Sequence, residues 1–277
     1  MTLGGSGAAL GDGWGARLRT FLQGLALPVV LLALWEAAGR AELLPAGILP
    51  APSAVLRTWE VWAFGSGGFG LNPYSGTWFD TVWFSARRVV QGFFWACVAG
   101  IPLGIWIGWS ALAARSIDPL IQGLRPIPIT AWLPFSIALF GIRDLGAVFL
   151  IALGAFYPIL INATHGARDV GRNLIRAAQM MGASDRDLVL RVVLPNALPA
   201  IFTGMRLGLG VAWTAVIVAE IVAVKSGLGY VLWDAYYVGR MDVVLADMVS
   251  IGLAGFLSDR LMLMVQARVL HWRALSR

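Results

Sequence analysis

Apolar residues dominate this chain in runs of about twenty, and the polar breaks between the runs set out its elements. Phe21 to Ala38, Val89 to Trp109, Leu145 to Thr164, Gly204 to Val224 and Leu245 to Val265 are each long enough to cross a bilayer. The helical rise is roughly 1.5 Å per residue, against about 30 Å of hydrocarbon. A further apolar stretch, Ile117 to Gly141, is cut by Pro119, Pro126, Pro128 and Pro134, and no straight helix carries all four. Irregular backbone at membrane depth persists only where protein or a water-lined cavity satisfies it, so this segment is the candidate lining of a path. The pattern predicts an all-α integral membrane protein of about six spans.

The boundaries follow. Residues 1–20 read as a flexible tail and 21–38 as the first span, with a cleaved signal as the competing reading of the arginine-led apolar core. Residues 39–88 form a loop with short surface helices near 53–63 and 78–88, and residues 89–265 form a five-helix core. Ser226 to Arg240 reads as a loop, and 266–277 as a second tail. Gly100, Gly104 and Gly108 in one span, and Gly204, Gly208 and Gly210 in another, are spaced for close helix packing.

The polar segment 165–203 is different in kind. Asn173 to Met181 places Leu174, Ile175, Ala178 and Met181 at helical spacing, Gly182 is suited to closing that helix, and Ser184 with Asp187 fits the start of a second. Pro195 is expected to end or kink the second helix. So short a segment buries too little apolar area to stand alone, which implies a partner for its greasy face.

Composition agrees with the pattern. With 58% hydrophobic and 13% charged residues and a mean hydropathy of +0.75, the chain carries more apolar surface than a soluble domain of its length hides. Thirteen tryptophans suit headgroup boundaries or packing. The net charge of +6 is almost all arginine, Lys225 being the only lysine. Those arginines are scattered between apolar runs rather than gathered on one polar face, which argues against nucleic-acid binding. Cys97 lies alone in an apolar run and reads as a packed thiol, and His165 and His271 suggest no metal site.

Candidate chemistry is sparse. Glu36, Glu220, Asp247, Asp259 and Arg260 fall in or beside apolar runs, where charge is costly. Glu220 is the candidate for gating or helix bracing. Pro126, Pro128, Trp132, Trp213 and Thr214 join it as candidates for the path, and Arg125 is a candidate cation beside the broken segment. No phosphate-cradling Gly-x-x-x-x-Gly-Lys-Ser/Thr loop surrounds Lys225, and no nucleophile–base pair or metal spacing points to an enzyme.

Arg176-Ala177-Ala178, Gly182, Val192 and Leu194-Pro195 fall in register with a motif written Glu-Ala-Ala, three residues, Gly, nine residues, Ile, one residue, Leu-Pro. The chain thereby resembles the permease subunits of ATP-binding cassette importers. Segments 124–134, 140–142, 202–206 and 226–230 are similar to the nitrate, sulfonate, taurine and bicarbonate branch. The resemblance implies the transmembrane domain of a type I importer, moving a small oxyanion into the cell, with segment 165–203 as the coupling loop. Its ATPase-coupling residues would be Arg176, Ala177, Ala178, Met181, Gly182, Ala183, Leu194 and Pro195. Arg176 stands where the family usually has glutamate and implies an acidic counterpart.

The resemblance also implies the partners. These are two ATPase subunits that bind ATP and Mg in place of this chain, a second permease copy or related permease, and a periplasmic or lipid-anchored solute-binding protein. The chain itself would bind no cofactor and no metal, and would sit among lipid in the cell inner membrane with both termini cytoplasmic. That orientation puts Arg17, Arg19, Arg115, Arg168, Arg172, Arg176, Arg186, Arg191, Arg268, Arg273 and Arg277 inside. Arg40, Arg57, Arg87, Arg88, Arg143, Arg240 and Lys225 fall outside. An ion-gradient-driven secondary transporter is the alternative, which would need coupling charges near mid-membrane and internal repeats.

Overall fold

A computed structural model describes residues 12–41, 48–65 and 73–271, and every regular element among them is helical. The chain enters through α1 (Asp12–Arg40) and α2 (Pro52–Phe64). Three elements then build the core: α3 (Trp78–Trp109), α7 (Asp144–Arg168) and α10 (Leu194–Ala223), with α7 packed between the other two. Between α3 and α7 run α4 (Ala111–Ser116), α5 (Asp118–Leu124), a 3-10 turn at Ile129–Trp132 and α6 (Leu133–Phe140). Between α7 and α10 lie α8 (Arg172–Met180), the single turn α9 (Asp185–Asp187) and a π-helical turn, Leu188–Val193. The chain then continues through α11 (Leu228–Tyr237) and α12 (Met241–Val269).

Small residues set the spacing of the core. A Cβ on Gly92 would stand 2.6 Å from Ile151, one on Gly104 2.6 Å from the Leu160 carbonyl, and one on Gly208 2.9 Å from that of Ala155. Helices approach this closely only where side chains are absent, and contact between backbones replaces the hydrophobic drive that lipid cannot supply. Gly210 shares the spacing of Gly204 and Gly208, yet its Cβ position is open. Outward, Leu31, Val90, Trp95, Leu207 and Leu261 leave apolar side chains exposed, as a surface solvated by lipid requires. Among the described residues four helices are long and apolar enough to cross a membrane, and the bent pair Ala111–Leu124 and Ile129–Phe140 makes a fifth if it is one span.

Several expectations are redrawn. The surface helix at 78–88 and the following span are one helix of 32 residues, because Arg87 and Arg88 meet carboxylates from other helices and so need not mark a boundary. Residues 12–20, expected in a tail, belong to α1, and 266–269 belong to α12, since an apolar helix once nucleated extends cheaply into its flanks. The stretch 226–240 holds α11, whose Leu228, Val231 and Ala235 are buried. The remainder of both tails, Pro45 and most of the glycine-rich patch at 65–70 lie outside the described residues.

Pro195 does not end its helix. The helix runs without interruption from Asp185 to Ala223, and the π-helical turn immediately precedes the proline. Wider backbone winding there absorbs the missing N–H. Several tryptophans serve the interior, while Trp83, Trp95 and Trp106 stay exposed. Trp59 and Trp78 donate to the same Ser250 hydroxyl at 3.0 and 2.8 Å, and Trp62 is wholly buried on Thr77. Tyr74 ties the turn before α3 to α11 through Asp234 Oδ2 at 2.6 Å, and burial, with that carboxylate beside it, pushes the phenol up.

Candidate functional site: a capped loop helix, a broken span and a buried charge cluster

The polar loop is a stiff corner. At the end of α8, Gly182 adopts φ +83°, its N–H donates to the Gln179 carbonyl (2.9 Å), and Ala183 N–H donates to that of Ala178 (3.1 Å). This pair of bonds is the Schellman closure, which glycine permits without strain. Ser184 then caps α9, accepting from Asp187 N–H at 3.3 Å while its own hydroxyl donates to the Asp187 carboxylate at 2.6 Å. Ile175 packs on the cluster holding Val189, Val192, Val193 and Ala197, and Ala178 is buried. Arg176, Ala177, Met181 and Gly182 are exposed, Ala183 is half-buried, and Leu194 and Pro195 open α10 just beneath. Met180 and Met181 are exposed by 89% and 82%, leaving flexible apolar side chains uncovered at the tip.

The broken span bends by 92° between its two arms. Pro126 and Pro128 lie at the bend, both exposed, and Trp132 packs beside Ala147, Leu150 and Ala219 at the start of α6. Ser136 Oγ, donating to the Gly146 carbonyl at 2.9 Å, anchors α6 to α7. The other path candidates separate. Trp213 is buried and donates to Ser258 Oγ on α12 at 2.9 Å, whereas Thr214 lies exposed on α10.

Glu220 is fully buried at the end of the bundle opposite the loop. Its carboxylate accepts from Arg88 Nη1 (2.7 Å), Ser85 Oγ (2.8 Å) and Gly229 N–H (2.9 Å). Arg88, only 3% exposed, also donates to Asp144 Oδ1 from Nε (2.9 Å) and Nη2 (2.7 Å), and to Ser226 at the carbonyl (2.8 Å) and hydroxyl (2.6 Å). One guanidinium thus joins α3, α7, α10 and the 224–228 turn, using its rigid fork of donors. Beside the cluster, Arg88, Arg143, Asp144, Lys225 and Ser226 line a cleft of about 630 Å³.

Nothing in the sequence marked Arg88 as part of this site. It reads as a flanking arginine, and its partner Glu220 stands 132 residues away. The only available signal was a charge directly before an apolar run, which many boundary arginines share. The turn is fitted around the carboxylate. Gly227 has φ +104°, and a Cβ there would collide with the Glu220 carboxyl group. Gly227→Ala is therefore expected to displace Glu220, cost about 1–3 kcal/mol and lower the thermal midpoint of the purified protein. An unchanged midpoint would count against this close fit.

The other charges in or beside the apolar runs divide in two. Arg206 clamps Asp259 with both ends of its fork, 2.8 and 3.1 Å, tying α10 to α12. Asp247 is fully buried, and neither of its oxygens meets a donor among the described residues. Glu36 accepts from Ser53 N–H (3.0 Å), Ser53 Oγ (2.7 Å) and Arg40 Nε (2.6 Å), so it pins α1 to α2.

The chain is similar to known proteins over most of its length. Residues 100–271 match the model of the family described as binding-protein-dependent transport system inner membrane component. A putative ABC transporter permease of Methanocaldococcus jannaschii is 39% identical over 91% of this chain and 92% of its own length. The taurine transport system permease TauC of Escherichia coli is 36% identical over 88% and 86%. The putative aliphatic sulfonates permease SsuC of Bacillus subtilis is 32% identical over 91% and 88%. The inward-facing MetNI methionine ABC transporter superposes with a TM-score of 0.58 at 21% identity, over 71% of this chain and 99% of that one, a likeness of fold alone. The chain belongs to the binding-protein-dependent transport system inner membrane components: it is a permease subunit of an ATP-binding cassette importer, with the type I transmembrane fold.

Proposed function

We propose that the chain imports a small oxyanion, nitrate, a sulfonate such as taurine, or bicarbonate, and that its 165–203 loop receives the stroke of a partner ATPase. The observation that carries this reading is the unbroken helix Asp185–Ala223. It begins in the capped loop and ends beside the Glu220 cluster. At about 1.5 Å per residue it is a rod of roughly 55–60 Å. A displacement applied at α8 reaches the far end of the bundle as rotation or tilt of one body, without a hinge to dissipate it.

In this reading, two ATPase subunits seat Arg176, Ala177, Ala178, Met181, Gly182 and Ala183 in surface grooves, and two permease copies enclose the path. Leu194 and Pro195 carry the motion into α10. ATP and Mg stay on the ATPase, and a solute-binding protein delivers the anion at the Glu220 end. The loop and both termini face the cytoplasm, and α1 is the first span. The solute class is supported by relatives named for aliphatic sulfonates, taurine and nitrate.

A cysteine-free background is within easy reach, since Cys97 is the only cysteine. In Cys97→Ser protein, single cysteines at positions 177–182 are expected to crosslink to the ATPase in the assembled importer. Uptake of nitrate, taurine or bicarbonate into proteoliposomes should require ATP. Uptake that follows an ion gradient without ATP, or loop cysteines that touch no second protein, would overturn the reading.

A further inference from the structure

Arg125 occupies the bend of the broken span, between α5 and the 3-10 turn, and is exposed. Among the described residues its side chain has no salt-bridge or hydrogen-bond partner. The arginines of α3 and α10 are treated differently. Arg88 holds Glu220 and Asp144, Arg87 lies 4.0 Å from Asp144, and Arg206 clamps Asp259.

Depth makes the difference significant. Arg125, Pro128, Trp132, Gly154, Tyr157 and Val211 line a cavity of about 260 Å³. Gly154 lies ten residues from the Asp144 end of α7 and fourteen from the Arg168 end, and Val211 lies twelve from the end of α10 at Ala223. At about 1.5 Å per residue, the cavity is roughly 15–20 Å from either end of α7. A guanidinium at that depth cannot be left against lipid, so it faces an aqueous passage or a counter-charge. The cavity is smaller than the roughly 300–1,000 Å³ of sites that take drug-sized molecules, so it suits a small solute.

The backbone here is built to open this space. Pro126 and Pro128 prevent a continuous helix, and Gly154 lets Ile129 sit against α7, where a Cβ would collide with the Ile129 side chain. Exposed Val211 and Thr214, three residues apart on α10, extend the same wall.

We propose that Arg125 is the anion-selecting group of the translocation path, a water-accessible cation at mid-depth that pairs with a polyatomic oxyanion in transit. Planar donors in a fixed fork match the oxygens of nitrate, bicarbonate or a sulfonate. Tyr157 and the apolar walls confine the solute beside it. This rests on the importer reading above, and its test separates the two.

The test uses the complete importer in proteoliposomes, with nitrate, taurine and bicarbonate as probes. Arg125→Gln is expected to raise KM for the imported anion by roughly ten- to a hundredfold, the size of one lost charged hydrogen bond. Arg125→Lys, which keeps the charge but loses the planar fork, should recover part of the affinity. Because Arg125 holds nothing in place, the Arg125→Gln melting temperature should match wild type, an outcome that a structural role would not give. In Cys97→Ser protein, Arg125→Cys should react with a membrane-impermeant thiosulfonate reagent. Unchanged KM in Arg125→Gln, a lowered melting temperature, or an unreactive cysteine would each overturn the proposal. Failure of the wild type to import any of the three anions would instead overturn the reading on which it rests.

Discussion

Arg88→Met is expected to destabilise the protein by about 3–5 kcal/mol, the usual cost of removing one partner from a buried ion pair. The reason is the fate of Glu220. Without the guanidinium, its fully buried carboxylate keeps only the Ser85 hydroxyl and the Gly229 N–H, and Asp144 loses its short contacts with the same side chain. For a chain of this size each kcal/mol moves the melting temperature by roughly 2–4 °C, so a fall on the order of 10 °C should be seen in detergent or nanodiscs.

The double variant Arg88→Met/Glu220→Gln separates pairing from packing. Glutamine keeps the shape and still accepts from Ser85, while the charge that needed Arg88 is gone. More than half of the lost stability should therefore return, because coupled neighbours are not additive. A midpoint for Arg88→Met close to wild type, or a double variant no better than the single one, would show that this cluster does not hold the three core helices together.

Gly182→Pro should abolish ATP-driven uptake while the chain still inserts and folds. Gly182 stands at φ +83°, where proline cannot go, and its N–H closes α8 on Gln179. The damage is confined to the corner, since a Cβ at Gly182 meets nothing within 4 Å and Gly182 belongs to no core cluster. Ala178→Trp should do the same by another route. Ala178 is buried under the loop, and an indole there forces α8 away from Val189 and Val192. Uptake measured beside the yield and melting temperature of the complex decides the matter. Full uptake by either variant would remove the loop from the coupling mechanism.

Legibility in the sequence followed the range of the interactions. The corner at Gly182 and Ser184 could be read residue by residue, because a Schellman closure and an N-cap are made within six residues of chain. The broken span was equally open, since four prolines forbid a straight helix wherever the chain goes. Pro195 misled because its effect depends on the turn before it. A π-helical turn at Leu188–Val193 lets the helix pass, and nothing local in Leu-Val-Leu-Arg-Val-Val announces that winding. The loop expected at 226–240 was a helix for a similar reason. Its burial against α10 and α12, and not any strong periodicity of its own, accounts for α11.

By itself the sequence determined the solvent, the helical class, the glycine-spaced close packing of the core and the capped loop, since each depends on composition or on contacts a few residues apart. Tertiary structure alone decided which charges were answered. Glu220 found Arg88 across 132 residues, Asp259 found Arg206, and Arg125 was left facing a cavity at mid-depth. In a low-dielectric interior a charge is defined by its partners, and partners drawn from different helices are chosen by how those helices pack.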